Sequence, residues 1–278
     1  MPSSPRPVGV FDSGVGGLSV LRALQAQLPH EHFIYIADQA HVPYGSRGLH
    51  QVRGFAVGIT RYLLSQKAKA IVVACNTASA AALEHLRAAF PHTPFIGMEP
   101  AVKPAAETTR TGVVGVLATP ATFQGALYAS VVERFAQGTR LLEDTCPGLV
   151  QRIESGDLEG PQTEAILRRA LRPMLTQGMD TVVLGCTHYP FVIPLIERLA
   201  GPGVRVIDPA PAVARQTARV LARGRLLAPP TAAGRTCYFT TGAAPQRTAQ
   251  QIARLLNLPA PPLVRRLQWQ PDGALAQA

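Results

Sequence analysis

The stretch Thr181-Val182-Val183-Leu184-Gly185-Cys186-Thr187-His188-Tyr189-Pro190 decides the fold. A β-branched run gives way abruptly to a glycine, a thiol, a hydroxyl and an imidazole, then to a proline and the apolar pattern Phe191, Ile193, Leu195, Ile196 and Leu199. This predicts a buried parallel strand whose carboxyl end passes straight into a helix. In open α/β sheets such strand ends are where ligands bind. A second stretch, Ala70-Ile71-Val72-Val73-Ala74-Cys75-Asn76-Thr77-Ala78, follows the same plan, with a cysteine and a polar pair before an Ala-rich helix expected from about Ser79 to Ala89.

The two stretches belong to a duplication. Val114-Gly115-Val116-Leu117-Ala118-Thr119 lines up with Val8-Gly9-Val10-Phe11-Asp12-Ser13 at an offset of 106, and Cys186 with Cys75 at an offset of 111. Such similar offsets predict two related α/β halves with mostly parallel sheets, each contributing one cysteine from an equivalent strand. The first is expected to hold residues 1–98 and 208–278, the second residues 99–207. A late strand around Thr236–Gly242 and the helix Pro245–Leu256 are expected to return to the first half. Residues from about Pro271 have too little apolar content to be expected in ordered structure.

A length of 278 residues suffices for two domains with substantial cores. With 47% hydrophobic and 16% charged residues the composition is that of an ordinary soluble protein. No apolar run reaches the roughly 18 residues that a bilayer-spanning helix needs. Met1-Pro2-Ser3-Ser4-Pro5-Arg6-Pro7 lacks the apolar core of a signal peptide, so a cytoplasmic protein without a membrane partner is expected. Four cysteines in such a chain are no disulfide framework, and no Cys-x-x-Cys or His-x-x-x-His spacing supports a metal site. A formal charge of +10 invites a nucleic-acid reading. The arginines, however, are scattered, in pairs at most (Arg168-Arg169, Arg265-Arg266), without interleaved aromatics, so solvated faces explain them better and no nucleic-acid partner is expected. Lys67, Lys69 and Lys103 are the only lysines. The first two flank the amino end of a strand, which leaves only Lys103 as a weak Schiff-base candidate for pyridoxal phosphate. No cofactor is expected.

Strand Val8–Phe11 runs into Asp12-Ser13-Gly14-Val15-Gly16-Gly17-Leu18-Ser19, half of a dinucleotide fingerprint with Ser19 where a third glycine belongs. The next strand, Phe33–Ile36, ends near an acid, Asp38, as a Rossmann unit would. Asp12 argues against the phosphate, since a carboxylate at the mouth of a phosphate cradle repels it. It suits a ligand ammonium, or Asp12 or Ser13 merely caps the helix. The loop Gln39-Ala40-His41-Val42-Pro43-Tyr44-Gly45-Ser46-Arg47-Gly48 reads as turn chemistry at an edge where ligand contacts gather.

A lone thiol at a buried strand end is usually a small hydrophobe. Two at matching positions of a duplicated unit point to chemistry. A helix N-terminus is expected to lower a thiol pKa that is about 8.5 unperturbed, and His188 to tune Cys186. If the halves face one another across a cleft, the thiols reach a ligand from opposite sides. That geometry removes a proton from one face of a carbon and returns one to the other, as a racemisation requires in both directions.

The strings VFDSGVGGLSVL, PYGSR, ACNTAS, VGVLATPAT and GCTHYP, in this order and spacing, resemble the glutamate racemases, cofactor-independent members of the aspartate/glutamate racemase superfamily, over roughly residues 8 to 257. The resemblance implies interconversion of L- and D-glutamate, supply of D-glutamate for peptidoglycan, and two α/β domains with the active site in the cleft between them. It implies Cys75 and Cys186 as the catalytic acid/bases, with Asp12 and His188 as their helpers or as contacts to the substrate ammonium. It places Ser13, Tyr44, Gly45, Asn76, Thr77 and Thr187 against the substrate, with Thr119 and Thr122 as secondary contacts. It also assigns Glu154, in VQRIESGD, to the site or its neighbourhood, and leaves Cys146 and Cys237 as structural residues. Ala243 stands where the family pattern has an acidic or amide residue, which bears on local capping only.

Without a pyridoxal ring, donors from Asn76, Thr77, Thr187 and backbone N–H groups must stabilise the enediolate-like charge, helped by closure of the domains. Three other readings stand beside this one: a racemase for aspartate or another amino acid, a dinucleotide or nucleic-acid binder, and a Cys186–His188 thiol hydrolase. A homodimer is compatible with the sequence, which does not fix the oligomeric state.

Overall fold

Val8–Asp12, buried along its whole length, forms the central strand β1 of the first half in the computed structural model, which describes residues 4–278. Residues 1–3, the start of the segment read above as carrying no leader, lie outside the described residues. The chain continues through α1 (Leu18–Gln27), β2 (His32–Ala37), α2 (Leu49–Ser65), β3 (Ala70–Val73), α3 (Asn76–Ala89) and β4 (Phe95–Gly97). It then builds α4 (Val102–Thr108), β5 (Val113–Ala118), the short α5 (Pro120–Phe123), α6 (Ala126–Phe135), β6 (Arg140–Asp144), α7 (Leu149–Glu154), α8 (Pro161–Thr176), β7 (Thr181–Gly185), α9 (Ile193–Ala200) and β8 (Arg205–Ile207). A tail of α10 (Ala210–Arg223), β9 (Arg235–Thr240), α11 (Pro245–Leu256), β10 (Val264–Trp269) and β11 (Leu275–Gln277) completes it.

Two sheets result, one of seven strands in the order β11-β10-β9-β2-β1-β3-β4 and one of four in the order β6-β5-β7-β8. Among the described residues every strand pair is parallel except β10–β11. Parallel strands must be covered on both faces, which explains their near-continuous Val, Ile and Leu content. Side chains of α1, α10 and α11 cover one face of the larger sheet and those of α2 and α3 the other. The smaller sheet is sandwiched in the same way, with Leu149, Leu167, Leu171 and Ile196 on one face and Val102, Tyr128 and Val131 on the other.

The duplication is visible in the register. Val8 of β1 pairs with Ala70 of β3 and Phe11 with Val73. Val114 of β5 pairs with Thr181 of β7 and Leu117 with Leu184. These pairs are related by the same offsets, 106 and 111, that align the sequence. The inner order β2-β1-β3-β4 thus repeats as β6-β5-β7-β8.

Three expectations are corrected. Helix α3 starts at Asn76, directly after Cys75, instead of near Ser79, because the Cys75 Sγ accepts the Ala78 N–H at 3.4 Å and caps it. After Cys186 the chain makes a 3-10 turn, Tyr189–Val192, before α9, since prolines at 190 and 194 delay the regular helix. The residues after Pro271 are ordered: a turn closed by the Gly273 N–H on the Gln270 carbonyl, at 3.0 Å, returns β11 antiparallel along β10. The two arginine pairs do lie exposed, one on α8 and one on β10.

At the amino ends of the strands, away from the cysteines, Lys69 Nζ sits 2.6 Å from Glu31 Oε2 and donates to the Ser4 carbonyl at 2.7 Å. The Lys69 side chain has 0% exposure. Removing one partner of a buried pair strands the other charge, a loss of about 3–5 kcal/mol. Lys69→Met is therefore expected to lower the unfolding free energy by about that amount in urea titrations; a change under about 1 kcal/mol would show that the pair is solvated.

Candidate active site

The carboxyl ends of β1, β3, β5 and β7 converge on a small cavity. It is lined by Ser13, Pro43, Tyr44, Gly45, Cys75, Asn76, Thr77, Thr119, Val150, Cys186, Thr187 and His188. The two cysteines, 111 residues apart in sequence, thus share one enclosed space. Of the residues singled out in the sequence, Asp12, Thr122 and Glu154 do not line it. Thr122 supports Thr119 through a hydroxyl contact at 2.9 Å, and Thr119 meets Thr77 at 2.8 Å across the seam between the halves. None of the three lysines lines the cavity.

The volume is ≈ 20 Å³, room for about one water molecule, which needs roughly 10–15 Å³. A larger cavity of ≈ 440 Å³ adjoins it, and Pro43 and Val150 line both. Neither side chain is singled out by the sequence: Pro43 lies in the loop read as turn chemistry, and Val150 is not among the candidates. Asn76 is 3% exposed and neither its amide nitrogen nor its carbonyl oxygen has a partner among the described residues. A buried amide left unpaired costs about 1–3 kcal/mol, so its presence marks a place that a ligand completes.

Asp12 lies behind the cavity wall with 0% exposure. Its Oδ2 accepts the Gly14 and Gly17 N–H groups at 3.1 and 3.0 Å. These are the donors a phosphate would take in a dinucleotide loop, and the chain's own carboxylate already holds them. Asp38, the second Rossmann-like feature, is spent as well, accepting from Tyr44, His41, Thr241 and Trp269 at 2.6 to 2.9 Å. The glycines serve packing instead. A Cβ at Gly14 would strike Glu154 Oε1, one at Gly16 the His188 ring, and one at Gly17 the Asp12 Cβ.

The two thiols sit in different electrostatic settings. Burial pushes the Cys75 thiol well above its ordinary pKa, and the Asp12 carboxylate pushes it further, outweighing the Ala78 N–H that pulls it down. The expected lowering by the helix N-terminus is therefore overturned at Cys75, because desolvation exceeds one weak hydrogen bond. Cys186 Sγ lies 3.7 Å from His188 Nδ1, so adjacency in sequence does bring thiol and imidazole together. His188 Nε2 in turn meets Glu154 Oε1 at 2.6 Å. Burial alone would lower the imidazole pKa, but its bonds to Cys186 and Glu154 and their charges win and hold it well above the usual value. Burial likewise opposes ionisation of Glu154, yet His188, Gln39 and the Val15 N–H keep its carboxyl below the usual range.

The Asp/Glu/hydantoin racemase family model matches residues 9–217. The chain belongs to this family. It is 53% identical to the glutamate racemase of Pseudomonas aeruginosa strain PAO1 over 252 residues, 91% of this chain and 94% of that one. Among solved structures it is similar to glutamate racemase isoform RacE1 of Bacillus anthracis, with a TM-score of 0.84 and 32% identity over 94% of this chain and 96% of that one. It is similar also to the Escherichia coli glutamate racemase solved with L-glutamate and the activator UDP-MurNAc-Ala, with a TM-score of 0.82 and 34% identity over 95% and 99% of the two chains.

The His188–Glu154 pair makes a pH-dependent contribution with a definite sign. The raised imidazole contributes stability that is full below its unfolded value, about 6.5, and lost as pH rises through its folded value. The depressed carboxyl contributes above its unfolded value, about 4.3, and loses this as pH falls through its folded value. Glu154→Gln is thus expected to lose most stability relative to the parent between about pH 5 and 7, with the gap closing at both extremes. Urea unfolding across pH checks this, and a constant gap would exclude a charged pair.

Proposed function

We propose that the protein interconverts L- and D-glutamate with Cys75 and Cys186 as paired proton carriers. The observation that carries this is the convergence of two cysteines from equivalent strands β3 and β7 on one cavity beside an unpaired Asn76 amide. The substrate comes from the relatives, which are glutamate racemases. Residues 1–98 with 208–278 form one domain in this reading, and residues 99–207 the other.

In the mechanism, glutamate lies with its α-carbon between the sulfurs. One thiolate takes the α-proton and the opposite thiol delivers its own to the other face, which inverts the centre. The elevated Cys75 thiol keeps a proton to give, while the His188 imidazolium offers the positive charge that a thiolate at position 186 needs. In the reverse direction the roles exchange. Charge that develops on the substrate carboxylate is met by Asn76, Ser13 and the hydroxyls of Thr77, Thr119 and Thr187, which are preorganised by the fold. Asp12 acts on Cys75 from behind the wall and Glu154 on His188, whereas Tyr44 and Gly45 shape the pocket. No cofactor takes part in these steps. D-glutamate made this way in the cytoplasm would feed peptidoglycan synthesis, and a homodimer of the 29.6 kDa chain belongs to the same reading.

Incubation of the protein with L-glutamate in heavy water should yield D-glutamate carrying deuterium at the α-carbon. No exchange at high enzyme concentration would defeat the reading, and faster turnover of L-aspartate would move it to another branch of the family. Cys75→Ser and Cys186→Ser should each lose most racemase activity, roughly 10²-fold or more, as expected when a positioned acid/base is lost. Full activity in either variant rules out the paired thiols.

A cavity of ≈ 20 Å³ cannot admit glutamate as it stands, and in this reading the halves part for substrate to enter. Small-angle scattering should show a larger radius of gyration for the free protein than for the glutamate complex. Identical profiles would mean that entry needs only side-chain motion near Pro43 and Val150.

A further inference from the structure

Glu154 stands outside the cavity, yet its carboxylate is among the most fully engaged groups in the molecule. Oε1 meets His188 Nε2 at 2.6 Å and accepts the Val15 N–H at 2.9 Å, and Oε2 accepts Gln39 Nε2 at 2.8 Å. The carboxylate and the imidazole belong to the half built on β5–β8. Both remaining donors come from the other half: Val15 from the turn between β1 and α1, Gln39 from the loop after β2. The Glu154 backbone crosses the same seam, its carbonyl accepting Gln251 Nε2 from α11. The Thr187 carbonyl, beside His188, is likewise held across it by Ser19 Oγ at 2.9 Å.

The support behind Cys186 is therefore assembled from both sides of the seam that parts, in that reading, to admit substrate. Parting it would take Val15 and Gln39 away from the carboxylate. The closed arrangement leaves little slack, because Glu154 Oε1 and the His188 ring fill the spaces that side chains at positions 14 and 16 would need.

Building on the two-thiol reading, we propose that Gln39 is a positioning residue, whose amide completes the Glu154–His188 pair behind Cys186 only when the two halves are shut. The consequence is that the Cys186 arm reaches its working geometry on closure, while a wide-open site holds it slack. Gln39 touches neither the inner cavity nor the reacting atoms; it acts through Glu154 and then His188. The Val15 N–H cannot substitute for it, since it takes the other oxygen.

The remaining charged or titratable groups around this carboxylate are few. From the first half, Tyr35 is close enough for the Glu154 charge to act on it, its hydroxyl donating to the Gly14 carbonyl at 2.8 Å, and Asp12 holds the Gly14 and Gly17 N–H groups of the same turn. Arg247 of α11 lines the adjoining larger cavity with it, and Arg152 on its own helix pairs with Asp157 at 3.5 Å. Cys186 stands beyond the His188 ring. Apart from His188, none of these donates a hydrogen bond to Glu154 among the described residues, so Gln39 is the side chain whose loss reports on the contact.

The test uses the full chain with Gln39→Leu, and with Gln39→Met as a second donor-free variant should leucine impair folding; Gln39→Lys keeps a donor. Both donor-free variants should lower kcat about tenfold in both directions, the scale of losing one hydrogen bond to a charged group, with KM changed less than about twofold, since Gln39 is outside the inner cavity. Gln39 helps to hold the Glu154 carboxyl down, so removing the donor makes that carboxylate more basic. The titration of the Glu154 carboxyl, followed by ¹³C NMR, and the acid limb of kcat should therefore both move to higher pH. Gln39→Lys should restore rate and titration together. Unchanged kcat and titration in the donor-free variants would overturn the proposal, as would a loss of rate with the titration unmoved, which is what mere packing damage gives. A parent protein that fails to racemise glutamate would instead defeat the underlying reading, so the two failures are distinguishable.

Discussion

The buried pair formed by His188 and Glu154 is the interaction around which the site is arranged. An imidazolium with 2% exposure and a carboxylate with 12% persist only if every remaining lone pair and proton finds a partner. The chain supplies these from three directions: Cys186 on the far side of the ring, Val15 from the first turn, and Gln39 from the loop after β2. The absent side chains of Gly14 and Gly16 make the approach possible. The glycine-rich turn, the loop after β2 and helix α7 are thus tied to one charge pair, although they come from different halves of the molecule.

The duplication gives the scaffold a pseudo-twofold character that the chemistry then breaks. Extending the register beyond the strands sets Cys75 against Cys186, Ser13 against Thr119 and Asn76 against Thr187. The same extension sets Asp12 against Ala118, and Thr77 against His188. In the mechanism proposed above, mirror-image substrates of equal free energy require a proton carrier on each face, and the duplicated cysteines stand where such carriers are needed. They do not require identical surroundings. Cys75 has a carboxylate behind it that, with burial, favours its protonated form, whereas Cys186 has the His188 imidazole beside it, so the two faces are not equivalent.

What the sequence revealed follows from which interactions are local. The strands β1, β3, β5 and β7 announce themselves because burial on both faces leaves unbroken apolar runs, and the repeat offset recovers even their register. The cysteines and their polar followers were legible because strand ends in such sheets face ligands. Less legible were features set by distant partners. Helix α3 begins early because the Cys75 sulfur caps it, and a sulfur cap carries no strong sequence signature. Strand β11 is only three residues long and forms on a neighbour already in place, in a segment whose apolar content is low overall. Val150, Gln39 and the place of Glu154 depend on how the halves meet, and no local pattern encodes that.

The glycine-rich turn shows why a motif must be read with its charges. Gly14, Gly16 and Gly17 present backbone N–H groups as a phosphate-binding loop does, and the physics of the turn is the same: donors converge on an anion near a helix start. The anion here is the Asp12 carboxylate, covalently fixed and so at a far higher effective concentration than any free phosphate. Once those donors are satisfied internally, the turn is free to do something else. The space opened by the missing side chains accepts Glu154 and His188 from the opposite half. A substitution of Asp12 by a neutral residue would release the donors and remove the charge that presses on Cys75 at the same time. One carboxylate therefore closes the turn to outside anions and favours the protonated form of the neighbouring thiol.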